Sequence, residues 1–129
     1  MISILHVEDD SDIREITEMA LSMSGDFEVT QCECGEAALS VAPDQHPDIL
    51  LLDMMMPGMT GCETLIELRK MPHLTRVPAV FMTARAEHVE IANLCAAGAA
   101  DVIPKPFDPM TLGDQLKKIL HRTTGHAST

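Results

Sequence analysis

The sequence predicts an α/β domain in which strands and helices alternate as (βα)5 and close into a doubly wound, five-stranded parallel sheet. Three observations predict it. Length and composition come first: 129 residues, 46% of them hydrophobic, suit one domain able to bury about two-thirds of its unfolded surface. Short apolar runs then recur, each too brief for a helix and rich in β-branched or large apolar residues. Segments of helical period separate them, and such alternation builds a sheet covered by helices on both faces.

The run ISILHV at 2–7 is the first strand. Asp12 and Glu15 have capping-box spacing at the head of the first helix, whose apolar stripe is Ile13, Ile16, Ala20 and Met23. Residues 27–31 give the second strand and 35–42 the second helix. ILLL at 49–52 and VPAVFM at 77–82 are the third and fourth strands, apolar on both faces as buried parallel strands are. Between them, residues 61–70 form the third helix. The fourth helix covers 87–97 and is followed by Gly98, where a helix-ending glycine belongs. After a fifth strand at 101–103, Asp108 and Pro109 supply a cap acceptor and a first-turn proline for the fifth helix. Leu112, Leu116, Ile119 and Leu120 are its apolar stripe, and residues 123–129 read as a frayed tail.

A net charge of −11 repels nucleic-acid phosphates and anionic lipid heads, and favours cations and basic partner surfaces. No apolar stretch approaches the ~20 residues that span a bilayer, and the N-terminus lacks a basic leader, so a cytoplasmic protein is expected. Cysteines at 32, 34, 62 and 95 show no framework spacing and read as small, buried or half-buried residues of a reducing compartment. A soft-metal site built on Cys32 and Cys34 lacks a supporting Cys-x-x-Cys or histidine pair. Methionines 54, 55, 56 and 59 are expected to fill loop and core. His6 falls in a core strand and the other histidines are scattered, so none is expected to be a phosphoryl donor or a ligand.

In doubly wound sheets ligands bind beyond the carboxyl ends of the strands. Those ends carry Glu8, Asp9 and Asp10 after the first strand, Asp53 after the third, Thr83 and Ala84 after the fourth, and Lys105 after the fifth. Asp10, with Ser11 and Asp12, suffices to cap a helix, which leaves Glu8, Asp9 and Asp53 as the chemical set. Carboxylates gathered from separate strands repel one another and become tolerable beside a cation. A hard divalent ion, Mg2+ above all, suits such oxygen ligands and shares them with phosphate and water. A lysine can neutralise one oxygen of an arriving phosphoryl group while a threonine hydroxyl donates to another. Asp53 is then either a metal ligand or a nucleophile that carries an aspartyl phosphate.

Four pieces of the chain carry a family resemblance: ILHVEDD at 4–10, DMMMPGMTG at 53–61, FMTA at 81–84 and GAADVIPKPF at 98–107. In this order, each at a strand end, they make the chain from residue 2 to about 122 resemble the receiver domain of two-component response regulators. The resemblance implies a flavodoxin-like strand order 2-1-3-4-5 and a receiver domain over 1–122. It implies that Asp53 is the phospho-accepting nucleophile, that Asp9 binds Mg2+ directly with Glu8 acting through water, and that the Met55 carbonyl completes the metal site. Thr83 would hydrogen-bond the phosphoryl group, the small Ala84 would keep the approach open, and Lys105 would pair with a phosphoryl oxygen. The Lys105–Pro106 peptide would be cis, since proline lowers the cis penalty to about 1 kcal/mol. The donor would be a phosphohistidine on a histidine kinase or phosphotransfer protein. A downstream protein would read the face made by the fourth helix, fifth strand and fifth helix.

One departure from that family's pattern and two positions at which the family varies bear on mechanism. Val102 stands where the family commonly has Tyr or Phe, so any switch must work without an aromatic there and leaves Thr83 and the loop to the fourth helix as the coupling. Met55 and Arg85 stand where the family tunes water attack on the acyl phosphate, and a thioether cannot orient water as a donor, so slow self-hydrolysis is expected. A Mg2+-dependent phosphohydrolase using an aspartyl phosphate is the enzymatic alternative; it usually needs an aspartate two residues after the nucleophile, where Met55 stands. A degenerate receiver acting as a constitutive interaction module is a third reading, against which all its site residues are present. If the chain is complete, it has no room for an output domain, and a relay intermediate or shuttle fits best.

Overall fold

Five parallel strands, β1 (Ile2–Val7), β2 (Phe27–Cys32), β3 (Ile49–Asp53), β4 (Ala79–Thr83) and β5 (Asp101–Pro104), form one sheet in the order β2-β1-β3-β4-β5. The computed structural model describes residues 1–85, 87–93 and 95–124, without the side chains of Val89 and Thr124. Helices α1 (Ser11–Ser22), α2 (Gly35–Val41), α3 (Gly61–Leu68), α4 (Glu87–Asn93) and α5 (Leu112–Thr124) alternate with the strands. This is the predicted flavodoxin-like (βα)5 array. The order reverses between β1 and β3, which places the sheet's crevice between those strands' carboxyl ends.

Alternation along the strands divides the core in two. On β3, Ile49 and Leu51 join one apolar cluster with Ile4, Leu21 and the Leu112, Leu116 and Ile119 stripe of α5. Leu50 and Leu52 join the other with Leu5, Val7, Leu65 and Leu68. Every residue of β3 and β4 is buried, as strands covered on both faces must be.

Several boundaries differ from the sequence reading. β2 runs on to Cys32 and β5 to Pro104, while β4 starts at Ala79, because Pro78 has no N–H to enter the ladder. Asp10, rather than an Asp12–Glu15 box, caps α1: its carboxylate accepts from the Asp12 and Ile13 N–H groups. The face that α1 buries is Thr17, Ala20 and Leu21, leaving Ile16 and Met23 exposed. α2 and α3 end at Val41 and Leu68, each followed by a short 3-10 turn begun with a proline near its start. α4 stops at Asn93, so Gly98, at φ +79°, serves the later turn whose N–H donates to the Cys95 carbonyl. Asp108 caps a turn over residues 109–111, and α5 proper starts at Leu112. Thr123 and Thr124 belong to α5 rather than to a tail; the rest of the expected tail, 125–129, lies outside the described residues.

Two links were not anticipated. Cys62, in the first turn of α3, and Cys95, after α4, are joined by a disulfide with Cα atoms 6.0 Å apart, which corrects the reading of all four cysteines as free. Their separation of 33 residues shows no framework pattern; it is the crossover geometry that sets α3 beside the segment following α4. Cys32 and Cys34 remain free, and the Cys34 sulfur accepts from the Ala37 N–H at the head of α2. Arg69, at the end of α3, donates to the carbonyls of Leu74, Val77 and Ala97, tying α3 to the approaches to β4 and β5. No helix among the described residues is long and apolar enough to cross a membrane.

Candidate functional site

Parallel register assembles the site. β1 leads into Glu8 and Asp9, β3 ends at Asp53, β4 ends at Thr83, and the Lys105 N–H continues the ladder onto the Thr83 carbonyl. The Glu8 N–H donates to the Cys32 carbonyl and the Arg14 guanidinium reaches back to the Glu8 carbonyl, which fixes the turn after β1. Beyond β3, Gly61 is required: a Cβ there would stand 2.4 Å from the Asp53 carbonyl oxygen, while its N–H donates to the Met54 carbonyl. The methionine run then alternates, Met54 and Met56 entering the core and Met55 standing exposed.

Glu8, Asp9 and Asp53 each offer a carboxylate oxygen, and the three oxygens lie within 4.8 Å of one another. Glu8 and Asp53 are buried, and Asp9 is open to solvent. Lys105 bridges the buried pair, its Nζ 2.7 Å from Glu8 Oε1 and 3.1 Å from Asp53 Oδ1. Burial, followed by the neighbouring Glu8 carboxyl, pushes Asp53 up to about 7 against the opposing pull of Lys105. For Lys105, burial works to lower the ammonium, but Glu8 and Asp53 outweigh it and hold it raised. A set of three hard oxygen donors with a surplus of negative charge fits a divalent cation, and the soft ligands that would select zinc are missing among the described residues here.

Asp9, Asp53, Thr83 and Lys105 border one cleft of about 230 Å3. Met55 also borders it, and its N–H points to Asp53 Oδ1 at 3.4 Å. Ala84 lines the same cleft with no bulk to close it. The Arg85 side chain is exposed and pairs with Glu87 at 3.7 Å, while its backbone N–H donates to the Thr83 hydroxyl oxygen at 3.1 Å. Val102 lies elsewhere: it pairs with Phe81 in register and lines a second cleft of about 560 Å3 behind Thr83, between α4 and β5. The Lys105–Pro106 peptide is cis.

One residue of the cleft escaped the sequence reading. His88, in the first turn of α4, puts Nδ1 2.8 Å from the Thr83 hydroxyl. Treated as one of several scattered histidines it carried no signal; five residues past a strand-end threonine, at the start of a helix, it could have been placed at the rim.

A family model, the response regulator receiver domain, matches residues 4–117. Among curated proteins, the phosphate regulon transcriptional regulatory protein PhoB of Pseudomonas aeruginosa is 37% identical over 121 residues, covering 94% of this chain and 52% of PhoB. The chain spans about half the length of the curated relatives it matches first. Among solved structures, the Vibrio cholerae chemotaxis protein CheY4 superimposes with a TM-score of 0.85 at 29% identity, covering 92% of this chain and 98% of that one. The receiver domain of the sensor histidine kinase PA1611 from P. aeruginosa gives 0.80 at 31% identity, covering 96% and 98%; its structure has a magnesium ion coordinated in the active site cleft.

Proposed function

The chain belongs to the response regulator receiver domain family, a phosphorylation-controlled signalling module, and we propose that its Asp53 accepts the phosphoryl group of a phosphohistidine with the aid of Mg2+. The observation that carries this reading is the placement of a buried carboxylate, two further acids, a lysine and a threonine around one small cleft. An Asp53 oxygen attacks phosphorus, the P–O bond forms as the donor's P–N bond breaks, and the imidazole leaves with the electron pair and takes a proton from solvent. Asp9, Glu8 and Asp53, with the Met55 carbonyl, would hold Mg2+, which when bound supplies charge neutralisation at the phosphoryl oxygens. Lys105 exchanges its contact with Asp53 for one with a phosphoryl oxygen, and the Thr83 hydroxyl donates to another. Ala84 leaves the approach clear. Met55 offers no donor to order an attacking water, and Arg85 at the second tuning position turns its guanidinium to Glu87, so the phosphoryl group is long-lived.

The receiver unit covers 1–122, and its donor is a histidine kinase or phosphotransfer protein. The surface of α4, β5 and α5 passes the signal to a downstream protein rather than to nucleic acid or membrane, in keeping with a net charge of −11. A cytoplasmic setting goes with that donor; the Cys62–Cys95 bond is the observation that pulls the other way. Incubation with acetyl phosphate and Mg2+, followed by a phosphate-affinity gel, tests the reading. Wild type should give a shifted, acid-stable and alkali-labile species that Asp53→Asn lacks; its absence in wild type would overturn the proposal. Multiple turnover of a phosphomonoester would identify a hydrolase instead.

A further inference from the structure

Resting on the receiver reading, we propose that His88 is the positioning residue that couples the phosphoryl-binding hydroxyl of Thr83 to helix α4, in place of an aromatic at position 102. The Thr83 hydroxyl has one proton and two neighbouring acceptors, His88 Nδ1 at 2.8 Å and the Arg85 carbonyl at 3.4 Å. The Arg85 carbonyl already accepts from the His88 N–H, and the Thr83 oxygen already accepts from the Arg85 N–H. We assign the hydroxyl proton to the shorter contact, with His88 Nδ1 as the acceptor and the ring proton on Nε2. Three hydrogen bonds thus close a loop from the end of β4 to the first turn of α4.

The chemistry makes this loop incompatible with phosphoryl recognition. A hydroxyl cannot give its one proton to His88 and to a phosphoryl oxygen at once. As Thr83 turns to an aspartyl phosphate on Asp53, His88 loses its donor and the first turn of α4 loses its anchor. Few side chains hold the start of that helix: among its described side chains only Ala92 is buried, and the cleft of about 560 Å3 lined by Val102 and Asn93 separates it from β5, while the Cys62–Cys95 disulfide fixes the chain beyond its other end. A valine fills little of that space, so the signal leaves by release of α4 rather than by an inward aromatic.

Two readouts test the coupling on the full chain, with beryllofluoride and Mg2+ as the phosphoryl stand-in and acetyl phosphate as the phosphoryl donor. In 15N-labelled wild type, the His88 Nδ1 resonance should move when beryllofluoride is added, and should not move in Asp53→Asn. Amide exchange in the first turn of α4 should rise with it. Removing the acceptor in His88→Leu should raise acetyl-phosphate labelling of Asp53 by about 2- to 10-fold, the equilibrium shift that one neutral hydrogen bond supports. Its α4 amides should exchange fast before any addition. His88→Asn, whose side-chain oxygen stands near the place of Nδ1, should restore the wild-type behaviour. An unmoved His88 resonance in a protein that is labelled at Asp53 would overturn the coupling and leave the receiver reading standing. Failure of wild type to respond to either reagent would sink both.

Discussion

Asp53 carries an electrostatic cost in the folded protein, and that cost is the price of readiness for a cation. Its folded value near 7 lies above the ordinary aspartate value of 3.8, so the folded protein holds the proton more tightly than the unfolded chain does. In Mg2+-free buffer this group therefore costs stability progressively as pH rises from about 4 to about 7. Asp53→Asn should raise the urea midpoint at pH 8 without Mg2+, and saturating Mg2+ should narrow the difference. Lys105 is the counterweight. It holds Glu8 and Asp53 together in a pair of contacts with little solvent access, so Lys105→Met should cost about 3 kcal/mol in urea unfolding without metal. Met55→Asn should shorten the lifetime of the phosphorylated form, followed by loss of the shifted gel species after the donor is removed. A lifetime unchanged or lengthened would count against slow hydrolysis.

Individual elements are held by short-range devices at their ends. Asp10 caps α1 by accepting two N–H groups, and Asp10→Ala should lower stability by about 1 kcal/mol in denaturant titration. Thr60 and Glu63 form a full capping box on α3, and the backbone and hydroxyl of Thr60 together hold the Glu63 carboxyl below its usual range. The other end of α3 depends on Arg69, whose guanidinium serves three carbonyls from two different loops. Lysine lacks that planar fork, so Arg69→Lys should recover little of the roughly 2 kcal/mol expected from losing charged hydrogen bonds to buried carbonyls. Gly61→Ala belongs to the same scale: the added methyl must push on the Asp53 carbonyl, and phosphorylation from acetyl phosphate should slow while the far ends of the strands keep their amide protection.

For the molecule as a whole, acid behaviour is a contest between two buried groups. His6 sits in β1 with no solvent access, its Nδ1 contacting the Gln31 amide and its Nε2 without a hydrogen-bond partner among the described residues. Burial, then Lys105 and Arg14, lower it to about 3, so its protonation costs stability as pH falls from about 6.5 toward 3. Asp53 contributes the opposite slope between 7 and 4, and the two partly cancel in metal-free wild type. Asp53→Asn should remove that offset, seen as a steeper acid decline of the urea midpoint. Most of this architecture was legible beforehand, because apolar runs such as ILLL at 49–52 and carboxylates at strand ends are local patterns. What escaped depended mostly on distant parts of the chain meeting, Arg69 on Ala97 and Cys62 on Cys95, whereas His88 lies only five residues past Thr83 and meets it through the turn between β4 and α4. The Cys62–Cys95 bond alters the covalent topology, since it makes residues 62–95 a closed ring. Thr83 lies inside the ring, while Asp53 and Lys105 lie outside it, on the two lengths of chain that lead from it. A single protease cut within the ring leaves one molecule on a non-reducing gel and two fragments once thiol is added, and the fragment boundary then runs through the phosphoryl site itself.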